Sequence, residues 1–198
     1  FTEVKPGVPF LYNMLERPVN SRKNGLHLGY GWCGGPCRWG TRMKIDALDG
    51  LGLDAEQHYV GIAADEVNRL EKLKPPKCSP LAEAGMTEAD CLAFCYDRGF
   101  FWEESGIRLY DVLDRVSCWC CKNKNRKELK AIYQHLPQYW SQLKDLQSQI
   151  EQPLKPYSRK GVPYGNVFDL ERVFEQEIQA ESSAGTQKGK GQRREPCR

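Results

Sequence analysis

Gly29-Tyr30-Gly31-Trp32-Cys33-Gly34-Gly35-Pro36-Cys37-Arg38-Trp39-Gly40-Thr41-Arg42-Met43-Lys44-Ile45-Asp46-Ala47-Leu48 places two cysteines, two tryptophans, five glycines and three basic residues in twenty positions. From Val19 to Gly40 the chain shows no sustained apolar period and reads as one long loop, of a length that is usually either functional or disordered. Its cysteines and tryptophans favour function. Thr41 is then the expected N-cap of a helix through Lys44, Ile45 and Leu48 that stops near Gly50. Arg42 and Lys44 fall in its first turn, where cations oppose the helix dipole. That placement fits either an anion held between them and the free backbone N–H groups or a solvated basic face.

A second sulfur-rich stretch, Ser117-Cys118-Trp119-Cys120-Cys121, lies about eighty residues further on. Cys33 and Cys37 are spaced Cys-x-x-x-Cys, and Cys118 and Cys121 are spaced Cys-x-x-Cys. Two such pairs can set four thiolates tetrahedrally, the arrangement wanted by zinc or by an iron–sulfur cluster. A free dithiol made reactive by nearby lysines is a third reading. The nine cysteines are an odd number, which argues against a closed disulfide framework and points to a reducing compartment, here the cytoplasm. Cys91 and Cys95 read as buried thiols acting as small hydrophobes.

With 40% hydrophobic and 28% charged residues the composition is that of an ordinary globular chain. No apolar run is long enough to span a membrane. The net charge of +3 is concentrated in the last eleven residues, at Lys188, Lys190, Arg193, Arg194 and Arg198. Such a modest balance fits a phosphate-bearing small ligand, whereas nucleic-acid binders carry a stronger basic field. His27, His58 and His135 stand in unrelated contexts without a nucleophile elbow. No Walker A and no Gly-x-Gly-x-x-Gly sequence occurs.

Along the chain, Phe10, Leu11, Met14 and Leu15 form a helical face that Pro18 ends. His58 to Ala64 suits a buried strand, followed by the acidic turn Asp65-Glu66, as at the ligand-binding edge of an α/β sheet. Thr87-Glu88-Ala89-Asp90 resembles a capping box for a helix carrying Cys91, Leu92 and Cys95. Lys122, Lys124, Arg126, Lys127 and Lys130 make a basic approach to a helix ending at Leu136. Leu136, Tyr139, Trp140, Leu143, Leu146 and Ile150 recur at helical spacing and read as core. Pro153 to Gly165 reads as loop, Phe168 to Ile178 as helix, and Ala180 onward as a flexible polar tail.

Five motifs together carry a resemblance. Tyr30-Gly31-Trp32, Cys37-Arg38-Trp39-Gly40-Thr41 with Lys44-Ile45, Tyr59-Val60-Gly61-Ile62-Ala63-Ala64-Asp65-Glu66 with Arg69, Gly85-Met86-Thr87-Glu88-Ala89-Asp90-Cys91, and Val116-Ser117-Cys118-Trp119-Cys120-Cys121 occur in order between about Pro9 and Leu146. In that order the chain resembles the phosphoadenosine phosphosulfate (PAPS) reductase family in its bacterial and phage-like branch. The resemblance implies an α/β fold of the adenine nucleotide alpha hydrolase-like (PP-loop) type, a parallel sheet flanked by helices, with a helical C-terminal part. Residues 1–150 would form that domain, 151–180 a loop and helix, and 181–198 a flexible basic tail. It implies thiol-dependent reduction of an adenylyl sulfate, or a related sulfur transfer, with an adenylyl sulfate or ATP-like ligand and a thioredoxin-like thiol donor.

Carried over by residue, Arg42, Lys44, Asp65 and Arg69 would meet the adenine nucleotide. Cys37, Cys118 and Cys121 would hold a 4Fe-4S cluster, with zinc as the alternative and Cys33 as the fourth ligand in competition with Cys120. Cys197 would be the attacking thiol, although Arg-Glu-Pro-Cys-Arg departs from the family's pattern. The family's Ser-Gly-Gly-x-Asp-Ser nucleotide loop is absent from these residues. Together with the Phe1 start, that gives the expectation of a piece whose N-terminal part carried the loop.

Overall fold

The computed structural model describes residues 3–32, 37–52, 55–155 and 165–188. It is a mixed α/β protein in which helices dominate and, among the described residues, the strands form three two-stranded sheets. The chain divides by contacts into two compact units: Phe1–Ile45 with Val112–Arg198, and Asp46–Asp111.

In the first unit the Phe10–Leu15 periodicity does produce a helix, but its body is a π-helical turn, Tyr12–Glu16. The Arg17 N–H donates to the Tyr12 carbonyl at 2.9 Å, one residue further back than an α-helix allows. Asn13 and Met14 are its buried residues. Pro18 ends it and opens β1 (Pro18–Ser21), which pairs antiparallel with β2 (Gly25–Leu28). This hairpin corrects the reading of a continuous loop from Val19. Asn24-Gly25 closes the connection, with Gly25 in the left-handed region at φ +64° and the Asn24 N–H donating to Ser21 Oγ at 3.1 Å. The faces are inverted relative to an ordinary hairpin: Leu26 and Leu28 are 78% and 69% exposed, while Val19, Ser21 and His27 are half-buried.

The strand leaving the hairpin is lashed to the π-turn. Gly29 N–H donates to Arg17 O at 2.7 Å, Tyr30 N–H to Asn13 O at 3.0 Å, and Gly31 N–H to Met14 O at 3.0 Å. Gly29 sits at φ +66°, and a Cβ there would lie 2.0 Å from the Met14 carbonyl oxygen. Trp32 is buried, and its indole N–H donates to the Gln152 carbonyl at 2.9 Å. A second π-helical turn, Arg38–Arg42, leads into α1 (Met43–Asp49).

In the second unit β3 (His58–Tyr59) pairs in parallel with β4 (Lys77–Cys78). Short helices α2 (Val67–Leu70) and α3 (Pro80–Glu83) precede α4 (Glu88–Asp97). The hairpin of β5 (Glu103–Glu104) and β6 (Ile107–Arg108) leads to α5 (Leu109–Val112). The Thr87 capping box forms as read, with Asp90 as the reciprocal partner. The wider parallel sheet does not appear among the described residues, where two residues per strand are all that run parallel. Beyond Tyr59 the apolar run leaves the ladder: Ser79 Oγ donates to Ile62 O at 2.6 Å, and the Ala64 N–H donates to Met86 O at 2.7 Å. Ile62 and Ala63 are thus buried without a strand on either side.

The core of the first unit is built by α6 (Arg126–His135), α7 (Pro137–Gln149) and α8 (Val167–Lys188). Asn125 caps α6 in a reciprocal box with Glu128. Leu136, Trp140, Leu143, Leu146 and Ile150 are buried as their spacing predicts, against Leu170 and Phe174 of α8. Helix α8 continues through Ala180, the start of the stretch that reads as a flexible tail, and Lys130 of α6 pairs there with Glu177 at 3.3 Å and Glu181 at 2.8 Å. Among the described residues no helix is long and apolar enough to cross a membrane.

Gly25 and Gly29 share a left-handed backbone, but a Cβ at Gly25 meets open space. Gly29→Ala should therefore lower unfolding free energy in urea by about 1–3 kcal/mol beyond the loss in Gly25→Ala, since overpacking adds to the backbone term. Equal losses would show that the approach to Met14 carries no strain.

Candidate thiol site

A cavity of about 930 Å³ lies wholly within the first unit, and Cys37, Cys118, Cys120 and Cys121 all line it. The Cys118–Lys124 segment is two consecutive tight turns, with Cys121 N–H donating to Cys118 O at 3.0 Å and Lys124 N–H to Cys121 O at 3.2 Å. Trp119 anchors this segment. Its ring stacks on Tyr139 of α7 at 6.3 Å and meets the edge of Phe10 at 6.4 Å. Phe10, Met14 and Met43 add apolar wall, and Asn13 ties two of the elements together through a 3.3 Å contact of its amide with Met43 sulfur.

Cys37, not Thr41, is the N-cap of the helical segment, because its sulfur accepts the Gly40 N–H at 3.1 Å. The π-turn therefore starts three residues before Thr41. Arg42 and Lys44 are not in a first turn, so the argument from an unfavourable helix dipole does not apply to them. A Cβ on Gly40 would sit 2.7 Å from Cys37 Sγ, so the glycine makes the cap possible. Lys44 and Lys5 are exposed on the cavity wall and Lys122 is half-buried there, and no described lining residue is Asp or Glu.

Burial separates the three clustered cysteines. Cys118 is exposed and Cys121 half-buried. Cys120 is buried, and loss of solvent, reinforced by the neighbouring Cys118, pushes its thiol up to about 12. Two lysines press on the same turn. Lys124, 1% exposed, donates from Nζ to Ser117 Oγ at 2.7 Å. Half-buried Lys155 donates from Nζ to the Lys122 carbonyl. Burial pushes both ammonium groups down, opposed by Glu128, Cys121 and Cys118 at Lys124 and chiefly by Cys121 at Lys155.

Cys37, Cys118, Cys120 and Cys121 thus line one cavity. Among the described residues, no three His, Cys, Asp or Glu side chains are grouped closely enough to hold a metal ion. Cys33 and Cys197 lie outside the described residues. The lining offers sulfur and no carboxylate, but the described sulfurs are not gathered as a metal centre requires.

Asp65 and Arg69 belong to the second unit. There Asp65 Oδ1 accepts the Glu88 N–H at 3.0 Å at the start of α4. Arg69 pairs with Glu66, and its hydrogen bond holds that carboxyl below the usual carboxylate range. Cys91 and Cys95 are half-buried on α4, which has no fully buried residue, so they are not the buried thiols their spacing suggests; partial burial pushes the Cys91 thiol up.

Sequence reasoning passes over Lys155, reads Lys124 only as part of a basic approach to a helix, and gives Trp119 no anchoring role. Only Trp119 carried a signal, an aromatic residue inside a cysteine cluster. Comparison with family models, with curated proteins and with solved structures finds no match.

Cys120 keeps its proton in the folded state well above the pH at which an unfolded thiol ionises. Its contribution to stability is therefore complete below about pH 9 and should be lost as pH rises towards about 12. Iodoacetamide at pH 8 should label Cys118 and leave Cys120 unlabelled until urea is added. Mass spectrometry showing both labelled at one rate in the folded protein would contradict the burial.

Proposed function

We propose that this chain is a PAPS-reductase-like protein. In this reading it serves thiol-dependent reduction of an adenylyl sulfate, or a related sulfur transfer, at an adenine-nucleotide site beside a cysteine-bound iron–sulfur centre. The observation that carries the proposal is the meeting of Cys37 with Cys118 and Cys121 in one cavity whose wall includes Lys44. Those cysteines, with Cys33, hold the centre. Lys44 and Arg42 attract the ligand's anionic end. Phe10, Met14 and Met43 exclude water, which strengthens every electrostatic contact inside. When bound, the cluster supplies a polarising charge beside the anion without itself changing oxidation state. Cys197 is the thiol that attacks the sulfate sulfur, displacing the nucleotide phosphate. A thioredoxin-like dithiol then releases sulfite and is oxidised to its disulfide. The parallel β3–β4 pair is what supports an adenine nucleotide alpha hydrolase-like sheet. Asp65 and Arg69 are left to the contacts they make in the second unit.

Anaerobic purification with assay of iron, acid-labile sulfide and zinc tests the centre. About four irons per chain are expected, and none in Cys121→Ser. Stoichiometric zinc without iron would sink the cluster and leave a structural zinc protein. For the ligand, calorimetry should show adenylyl sulfate binding weakened about tenfold by Lys44→Ala, the scale of one lost charged contact. Unchanged affinity would take Lys44 out of the site.

A further inference from the structure

The outward face of the β1–β2 hairpin is apolar where a two-stranded sheet ordinarily turns polar residues to water. Its register sets Pro18 opposite Leu28 and Asn20 opposite Leu26, so these four side chains share one face, and all four are exposed. Leu26 is more exposed than any other large apolar side chain among the described residues. A slip of one residue would turn both leucines inward, but the turn holds the register: Gly25 supplies the left-handed backbone and Ser21 Oγ accepts the Asn24 N–H. The exposure is thus fixed by the fold. Cations bracket the face. Arg17 precedes Pro18 at the Leu28 end, and Arg22 and Lys23 sit in the turn at the Leu26 end, all three exposed and without an ion pair among the described residues. No Asp or Glu occurs from Arg17 to Ile45; Glu16 and Asp46 bound that stretch.

We infer that this face docks on an anionic lipid bilayer, with Leu26 and Leu28 entering the boundary between headgroups and acyl chains while Arg17, Arg22 and Lys23 meet the headgroup charge. Charge and size together select the occupant. A second copy of the chain would bring the same cations against themselves. An ordinary protein partner takes about 20–30 residues a side, and this face has only a handful of outward side chains. Nucleic-acid phosphates would satisfy the cations and leave the leucines in water. A bilayer asks only for the depth of a side chain, and apolar insertion with basic charge is the pair of signals that gives stable attachment to an anionic surface. The inference goes beyond the proposed reaction and uses none of its residues.

The test is flotation of the full chain with vesicles of equal parts phosphatidylserine and phosphatidylcholine, set against vesicles of phosphatidylcholine alone. The parent chain should float with the first, stay unbound to the second, and lose binding as salt rises. Leu26→Thr with Leu28→Thr keeps strand-forming residues and should weaken binding about tenfold or more at an unchanged urea midpoint. Arg22→Gln with Lys23→Gln should weaken it about fivefold per charge removed and flatten the salt dependence. The basic run at 188–198 is intact in every variant, so vesicle binding that survives the leucine exchange would place the contact elsewhere and overturn the inference. A parent chain that ignores the phosphatidylserine vesicles would overturn it as well. Self-association in the ultracentrifuge that the leucine exchange abolishes would make the face an interface between copies instead.

Discussion

Trp140 is where the first unit closes. Its ring lies 5.3 Å from Tyr133 and 5.8 Å from Phe174, and those two are 5.9 Å apart, so α6, α7 and α8 each give one aromatic to a common junction. Edge and tilted contacts of this kind add about 0.5–1.5 kcal/mol each beyond the area they bury. The indole N–H is satisfied by Glu171 at 3.2 Å, and the same carboxylate accepts Lys144 at 3.0 Å. With α6 held in this way its N-terminus is fixed, and with it the Asn125 cap and the cysteine turns immediately before. Tyr139, one residue from Trp140 on α7, grips Trp119 from the other side. The sulfur-bearing turn is therefore pinned at both ends by helices whose own packing has nothing to do with sulfur.

Inside the cavity wall, one physical effect acts in opposite directions on acids and bases. Removal of water penalises charge of either sign, so Cys120 moves up while Lys124 and Lys155 move down. Cys118 and Cys121 remain closer to solvent than Cys120. The turn thereby offers three sulfurs to one cavity, one of them buried and two nearer solvent.

What the sequence makes legible follows the range of the interactions involved. The Thr87 cap is visible because both partners lie within three residues, and the face of α7 is visible because burial and helical period coincide. Cys37, Cys118 and Cys121 line one cavity, but spacing alone does not say which of them a ligand would meet. The sheet is not legible. His58 to Ala64 has the same composition whether strands flank it or Ser79 and Met86 take its hydrogen bonds. At Cys37 the statistical preference for threonine as a cap points to Thr41, while a sulfur three residues before Gly40 reaches the free N–H first. Among Lys122, Lys124, Arg126, Lys127 and Lys130, nothing local marks the one that turns inward, because that choice is made by Ser117 and α6 together.

The two π-turns carry a consequence for chain length. A π-turn is a helical turn holding one residue more than its neighbours, and each residue of a helix advances about 100° around the axis. Excising a single position between Cys37 and Met43 would let the segment relax to α-helical winding and swing everything beyond it by that angle. Lys44 would then leave the cavity wall and the Asn13–Met43 tie would break, although no side chain at the site had been altered. For this stretch, spacing is information of the same rank as residue identity, and variants that gain or lose a residue here should be more damaging than conservative exchanges at the same positions.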